Sequence, residues 1–202
     1  MKEAAYDEVF HSQTHYRALL DSMARPGKIN ALDYAPLKPP AGFDDASAYV
    51  ALALLDADVS FSALRSTEGV AEYLISNTNS KEASPTAAEF QFTDGARAAE
   101  AIAQAKPGTL LYPDTGATIV VSVQELSPEP IPESVALTMQ GPGVEERAHL
   151  WVKGIHPIAL DQLQEKNQEY PLGVDVVFCC GSGPGKAKLA CLPRTSSVSW
   201  SL

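Results

Sequence analysis

The chain has 202 residues, 45% hydrophobic and 20% charged, which is an ordinary globular composition and long enough to bury a core without disulfides or a structural metal. Its formal net charge of −10 excludes nucleic acid and anionic membrane as main partners, because both are bound through Lys and Arg that neutralise phosphate. The longest apolar run, Tyr49 to Leu55, is far short of the ~20 residues of a spanning helix, and Met1-Lys2-Glu3 opens no charged-then-apolar leader, so the expectation is a soluble, cytoplasmic protein.

In chain order, a first helix is predicted from Asp7 to Ala24. Its inward face is expected to carry Val9, Tyr16, Leu20 and Met23, flanked by Phe10 and Leu19, and Arg25-Pro26-Gly27 stops it. His11 and His15 stand four apart on it, a spacing that can hold a metal, but no third ligand completes a signature and no metal site is assigned. Lys28 to Leu32 reads as a short strand. Asp44 or Asp45 caps a helix running to about Leu55 that is apolar all round and therefore buried. A strand over 59–64, a helix from Glu68 to Ser76, a strand from Glu89 to Thr93 and an Ala-rich helix from Ala96 to Ala105 follow, the last stopped by Lys106-Pro107-Gly108.

Ala117 to Val123 is the clearest strand, with Ile119, Val120 and Val121 in succession. Pro128, Pro130 and Pro132 mark an extended connection inside one domain spanning residues 1–202. Val135 to Met139 is a strand ending at Gly141-Pro142-Gly143, and a helix covers Pro157 to Glu169. Val174 to Cys180, Ala187 to Leu192 and Val198 to Trp200 complete the strands. Alternating helices and strands predict an α/β layered domain, and the closing strands without helices make its sheet mixed.

The stretch from Gly181 to Lys186 has the outline of a phosphate loop. Only three residues separate Gly181 from Gly185-Lys186, however, and Ala187 stands where a metal-binding hydroxyl is needed. A hairpin with a Gly-Pro-Gly tip is expected instead. Folding it about Gly185 sets Cys179 opposite Cys191. In a reducing compartment the three cysteines are expected as buried thiols.

Several signatures recur in a set order: Tyr16-Arg17-Ala18-Leu19-Leu20 with Met23 to Gly27; Leu54-Leu55-Asp56-Ala57-Asp58-Val59; Pro107-Gly108-Thr109 with Tyr112-Pro113 and Gly116-Ala117-Thr118; Leu137 to Gly143; Asn167 with Tyr170-Pro171-Leu172-Gly173-Val174-Asp175; and Leu192-Pro193-Arg194-Thr195. Together they resemble PhnH, a subunit of the bacterial carbon-phosphorus lyase system that uses phosphonates, and the resemblance runs nearly end to end. It implies a three-layer αβα domain with a mixed sheet, similar to the large domain of PLP-dependent transferases but without PLP. In such proteins the segment between the Gly-Val-Asp strand and the Pro-Arg-Thr turn is a connecting turn.

The resemblance implies a homodimer that joins other carbon-phosphorus lyase core subunits. That assembly attaches an alkylphosphonate to C1 of the ribose of ATP and displaces adenine. MgATP is then a substrate of the complex, alkylphosphonate or ATP are candidate ligands, and the chain itself holds no cofactor. Such a step needs cations for phosphonate and triphosphate, a carboxylate facing an oxocarbenium-like centre, and close backbone approach. The candidate ligand-binding residues are therefore Arg25, Gly141, Gly143, Asp175 and Arg194.

Each candidate has a structural alternative: the arginines cap carbonyls or pair with Glu145, Glu146 or Asp175, and Gly-Pro-Gly is turn geometry. Three functions compete: a contributor to a transferase site, a non-catalytic assembly subunit, and an independent Cys-dependent enzyme. Trp200 and Leu202 are expected either at an interface or, for Trp200, closing the domain's own sheet.

Overall fold

The computed structural model describes residues 6–64 and 68–202, so Met1-Lys2-Glu3 lies outside the described residues. A seven-stranded mixed sheet runs through the molecule in the order β1 (Asn30–Ala31), β10 (Lys188–Leu192), β9 (Asp175–Cys180), β5 (Thr118–Ser122), β4 (Phe90–Asp94), β2 (Ser60–Leu64), β3 (Lys81–Glu82). The pairs from β3 through β9 are parallel, and β10 and β1 pair antiparallel at one edge. The central strands are buried on both faces, which is why β5 and β9 read as near-continuous apolar runs.

Helices cover both faces. On one, α1 (Phe10–Ala24), α2 (Asp45–Leu54) and α3 (Val70–Thr78) enclose Tyr49, Phe61, Phe92, Val120, Val177 and Leu189. On the other, α4 (Ala98–Gln104) and α5 (Pro157–Lys166) share a core with a second sheet. This second sheet is four-stranded and antiparallel, in the order β11 (Ser197–Ser201), β7 (Ser134–Gln140), β8 (Ala148–Lys153), β6 (Glu125–Ser127). A plain three-layer arrangement is therefore incomplete: the strands expected at 135–139 and 198–200 leave the main sheet. In β7, Val135, Leu137 and Met139 are buried while the residues between them are not, the alternation of a sheet that covers a core with one face only.

Two local expectations are corrected. Four of the six residues expected on the inward face of α1 turn outward: Val9, Phe10, Tyr16 and Leu20 are exposed, while Leu19 is buried and Met23 packs against the core as expected, and the buried face also carries His15 and Ser22. Polar groups are tolerated there because each is satisfied. His15 Nε2 meets the Asp33 carbonyl at 2.8 Å and Nδ1 meets the Tyr6 hydroxyl at 3.1 Å, while its ring stacks on Tyr49 with centroids 4.4 Å apart. Ser22 Oγ donates to the Lys28 carbonyl at 3.1 Å. The helix also begins later than expected, because the Asp7 carboxylate accepts the Val9 and Phe10 N–H groups at 2.9 and 2.7 Å and caps it; those two N–H groups hold the Asp7 pKa below its ordinary value.

The second correction is register. Cys179 pairs with Leu189 and Cys191 with Val177, so the two thiols are diagonal rather than opposite. All three cysteines are free and buried, and burial pushes each thiol pKa up. Enclosed thiols are poorly placed to attack a substrate, which weighs against the reading as a Cys-dependent enzyme. The hairpin expected at Gly181 to Lys186 is present, joining β9 to β10. Its loop clamps the start of α2: the Gly183 N–H donates to Asp45 Oδ2 at 2.8 Å and the Asp45 N–H to Ser182 Oγ at 3.1 Å.

Candidate functional site

The five residues singled out from the sequence lie up to 169 positions apart, yet the fold brings their segments together where the parallel strands begin. Arg25 ends α1, and the turn that follows is tied to the end of β10 by the Gly27 N–H donating to the Cys191 carbonyl at 3.2 Å. Gly143, with φ of +80°, lies so close to this turn that a Cβ would collide with the Ala24 carbonyl; the conformation and the contact both require glycine. Gly141 abuts Thr195 and Ser196. Asp175 opens β9, and Arg194 follows the end of β10.

Arg194 and Asp175 form the centre of this end. Their side chains are 13% and 20% exposed, and the Arg194 Nη2 to Asp175 Oδ2 distance is 2.5 Å. Asp175 Oδ1 also accepts the Arg194 backbone N–H at 2.8 Å, and Nε lies within 3.2 Å of both carboxylate oxygens. The remaining edge of the guanidinium donates to the Pro113 carbonyl at 2.7 Å and the Gly116 carbonyl at 3.3 Å. A Cβ at Gly116 would collide with this guanidinium, so the glycine is what lets the fork reach the loop. Arg194 thus ties the loop before β5 to the starts of β9 and the end of β10. Of the two roles open to it from sequence, the geometry displays the pairing with Asp175.

Arg25 pairs with Asp21 across one helical turn and is 60% exposed. Asp21 also accepts Lys28 Nζ at 2.6 Å and Asn30 Nδ2 at 2.8 Å, so Arg25 is one of three donors around a single carboxylate. His11 and His15 are not arranged as a metal pair: His11 Nδ1 accepts the Asp7 N–H at 2.9 Å, and both His15 nitrogens are engaged as described. Burial holds the His15 pKa below its ordinary value.

Two features escaped sequence reasoning. At the opposite end of the sheet, Asp44 Oδ2 accepts the hydroxyls of Ser122 and Ser47, with the two hydroxyls 2.8 Å apart, a closed cluster that fixes α2 to the end of β5. Only the capping role of Asp44 was legible, since its partner Ser122 is 78 residues away. Beside the Arg194 turn, Ser196 is 7% exposed and its enclosed Oγ has no hydrogen-bond partner among the described residues.

These observations define an α/β protein with a mixed sheet, backed by a small antiparallel sheet, whose ionic groups at one end fasten loops to the strand starts. Comparison with known proteins narrows that class. Residues 4–199 match the model of a family described as bacterial phosphonate metabolism protein (PhnH). The chain is 31% identical over 195 residues to the alpha-D-ribose 1-methylphosphonate 5-triphosphate synthase subunit PhnH of Rhizobium meliloti (strain 1021), covering 95% of this chain and 92% of the relative. It is also 31% identical over 190 residues to a protein of Stutzerimonas stutzeri named "Putative C-P lyase subunit protein HtxG", covering 92% and 85% respectively. The chain belongs to the PhnH family.

Proposed function

We propose that this chain is a subunit of a carbon-phosphorus lyase core assembly, supporting transfer of an alkylphosphonate to C1 of the ribose of ATP with displacement of adenine. The near full-length match to a synthase subunit of that name supports the reaction. The saturation of Arg194 supports a particular part in it: a guanidinium engaged by Asp175 and two carbonyls is a strut, not a free anion receptor. In this reading the chain shapes and joins the assembly, while reacting groups come from other subunits. It carries no PLP and no resident cofactor, MgATP is the substrate of the assembly, and the setting is the cytoplasm.

The surface supports such company. Tyr16 and Leu20 on α1 line an apolar groove with Met23, Leu54 and Phe90 at the strand starts. Leu110, Leu111 and Tyr112, in the loop before β5, are exposed, as is Tyr170 in the loop before β9. Large apolar side chains gathered at one end of a protein are what subunit contacts cover. Trp200 is not among them: it pairs with Leu137 in the second sheet and donates to Asp161 Oδ1 at 3.1 Å, closing the domain's own edge. Leu202 is exposed.

The test is twofold. The gene should restore growth on methylphosphonate as sole phosphorus source to a strain lacking its PhnH-family protein. Size-exclusion chromatography with light scattering should show a homodimer alone and a larger species when co-expressed with the other core subunits. A chain that fails to complement, or that stays monomeric in both runs, refutes the reading.

A further inference from the structure

The loop before β5 carries two adjacent leucines, Leu110 and Leu111, that are 78% and 77% exposed. The turn that presents them is ordered by its own hydrogen bonds: the Thr109 N–H donates to the Tyr112 carbonyl at 3.1 Å, and the Tyr112 N–H donates to Thr109 Oγ1 at 3.0 Å. Arg194 braces the same loop at the Pro113 and Gly116 carbonyls. Residues 107–113 contain no Asp, Glu, Lys or Arg. A braced, uncharged turn thus holds in solvent apolar surface that the fold itself does not bury, and such surface marks a contact.

The same end of the molecule offers a recess. A groove of about 250 Å³ runs between α1 and the starts of β4 and β5, walled by Tyr16, Leu20, Met23, Leu54, Phe90 and Thr118, and no charged side chain lines it among the described residues. It falls below the ~300–1,000 Å³ of small-molecule sites, so it suits one or two aliphatic side chains better than a cofactor. The helix above it is inverted for a free surface: Tyr16 and Leu20 face outward while His15 and Ser22 are inside. That arrangement is ordinary for a helix whose outer face is covered by a partner.

Symmetry and charge identify the partner. α1 packs on one face of the main sheet and α4, which leads into the loop, on the other, while Phe90 and Thr118 pair at the strand starts between them. A two-fold axis crossing the strand starts exchanges these faces and sets the tip of each copy over the groove of its mate, so that one contact is made twice. Two copies of net charge −10 repel where acidic residues meet, whereas tip and groove meet without a charge on either side. Projection and recess of matching chemistry stand on one chain, which a contact with a different protein does not require.

We propose that Leu110 and Leu111 of one copy seat in the α1 groove of a second copy, and the reverse, forming a dimer across the strand starts. The inference rests on the self-association in the function proposed above and supplies its location.

The experiment is cross-linking between two full-length variants, Leu111→Cys and Leu20→Cys, mixed and oxidised; the three native thiols are buried and stay out of the reaction. A disulfide-linked dimer joining one copy of each variant is expected. Leu111→Glu should keep the parent's melting temperature, because the side chain is exposed in the single chain, and should weaken dimerisation at least tenfold by light scattering, because a carboxylate is carried into an apolar groove. Leu20→Glu provides a second variant with the same expected direction. Both glutamate variants dimerising like the parent overturn the proposal, as does cross-linking confined to each cysteine variant alone. A parent chain that is monomeric by itself and binds another core subunit through Leu111 overturns the second copy as occupant. The mixed cross-link together with failed growth complementation keeps this interface and refutes the transfer reading instead.

Discussion

Arg194 and Ser196 stand two residues apart in one turn, and their surroundings are opposite. Arg194 brings a charged fork whose donors meet Asp175, Pro113 and Gly116. Ser196 brings one neutral hydroxyl that is buried with no hydrogen-bond partner among the described residues. From sequence, charge and shape made the arginine the conspicuous residue. In the fold, the saturated charge is architecture, and the unsaturated hydroxyl is sealed beside it. Chemical potency of a side chain and its availability are separate properties, and only packing decides the second.

The largest effect that tests this contrast is Arg194→Ala. Removing one partner of a mostly buried ion pair leaves the other charge uncompensated and costs about 3 kcal/mol. For a chain of this size that lowers the melting temperature by roughly 6–12 °C. Arg194→Lys keeps a charge beside Asp175 but loses the fork, so about 1–2 kcal/mol is expected, with impaired growth on methylphosphonate and normal growth on phosphate. Calorimetry of both variants is the check. An Arg194→Ala protein that melts like the parent while failing to support growth would make Arg194 a ligand residue after all.

How far the sequence reached follows the same division. Helix stops, β-branched strands and the hairpin were legible because each is written in neighbouring residues: Arg25-Pro26-Gly27, Ile119-Val120-Val121, and Gly183-Pro184-Gly185. The segments carrying Arg25, Gly141, Gly143, Asp175 and Arg194 all reach one end of the sheet, a convergence that no local pattern in the sequence announces. The outward turn of α1 was not legible either, because a stripe of Tyr16 and Leu20 outweighs His15 in any periodicity, and only Tyr6, Asp33 and Tyr49 make His15 welcome inside. The second sheet was missed through β8, whose Leu150 and Val152 alternate with His149 and Trp151 and could have signalled it. Nothing local marks Ser196, whose enclosure depends on Gly141, 55 residues earlier.

His15 extends the contrast to a buried group for which enclosure favours the neutral protonation state. Its neutral ring can donate from Nε2 to the Asp33 carbonyl and accept the Tyr6 hydroxyl at Nδ1, whereas the charged ring must also be desolvated beside Tyr49. Burial lowers its folded pKa below the unfolded value of about 6.5. Between the two values the unfolded chain binds more protons, so stability is full above about pH 6.5 and declines as pH falls toward the lowered folded pKa. Denaturant midpoints from pH 7.5 to 5 should therefore fall, and His15→Gln should fall less steeply. Equal slopes in the two proteins would show that the decline has another source.

The smallest effect is expected at the other glycine-rich turn, where shape again suggested a ligand. Gly181 to Lys186 presents backbone N–H groups as a phosphate loop does, but the anion they meet is internal: Gly183 donates to the Asp45 carboxylate, and Ala46 donates to the Gly181 carbonyl at 3.3 Å. Lys186 is exposed at the tip and hydrogen-bonds to the Gly183 carbonyl only through its backbone, at 3.2 Å. Lys186→Ala should therefore change stability by less than about 0.5 kcal/mol, the range of an ordinary surface substitution, and leave growth on methylphosphonate intact. Asp45→Ala is the informative companion, since it removes the internal anion, frees the Gly183 N–H and should cost about 1 kcal/mol or more. If Lys186→Ala instead abolished growth while melting normally, the lysine would be acting on something outside the chain, and the turn would be open where Arg194 is closed.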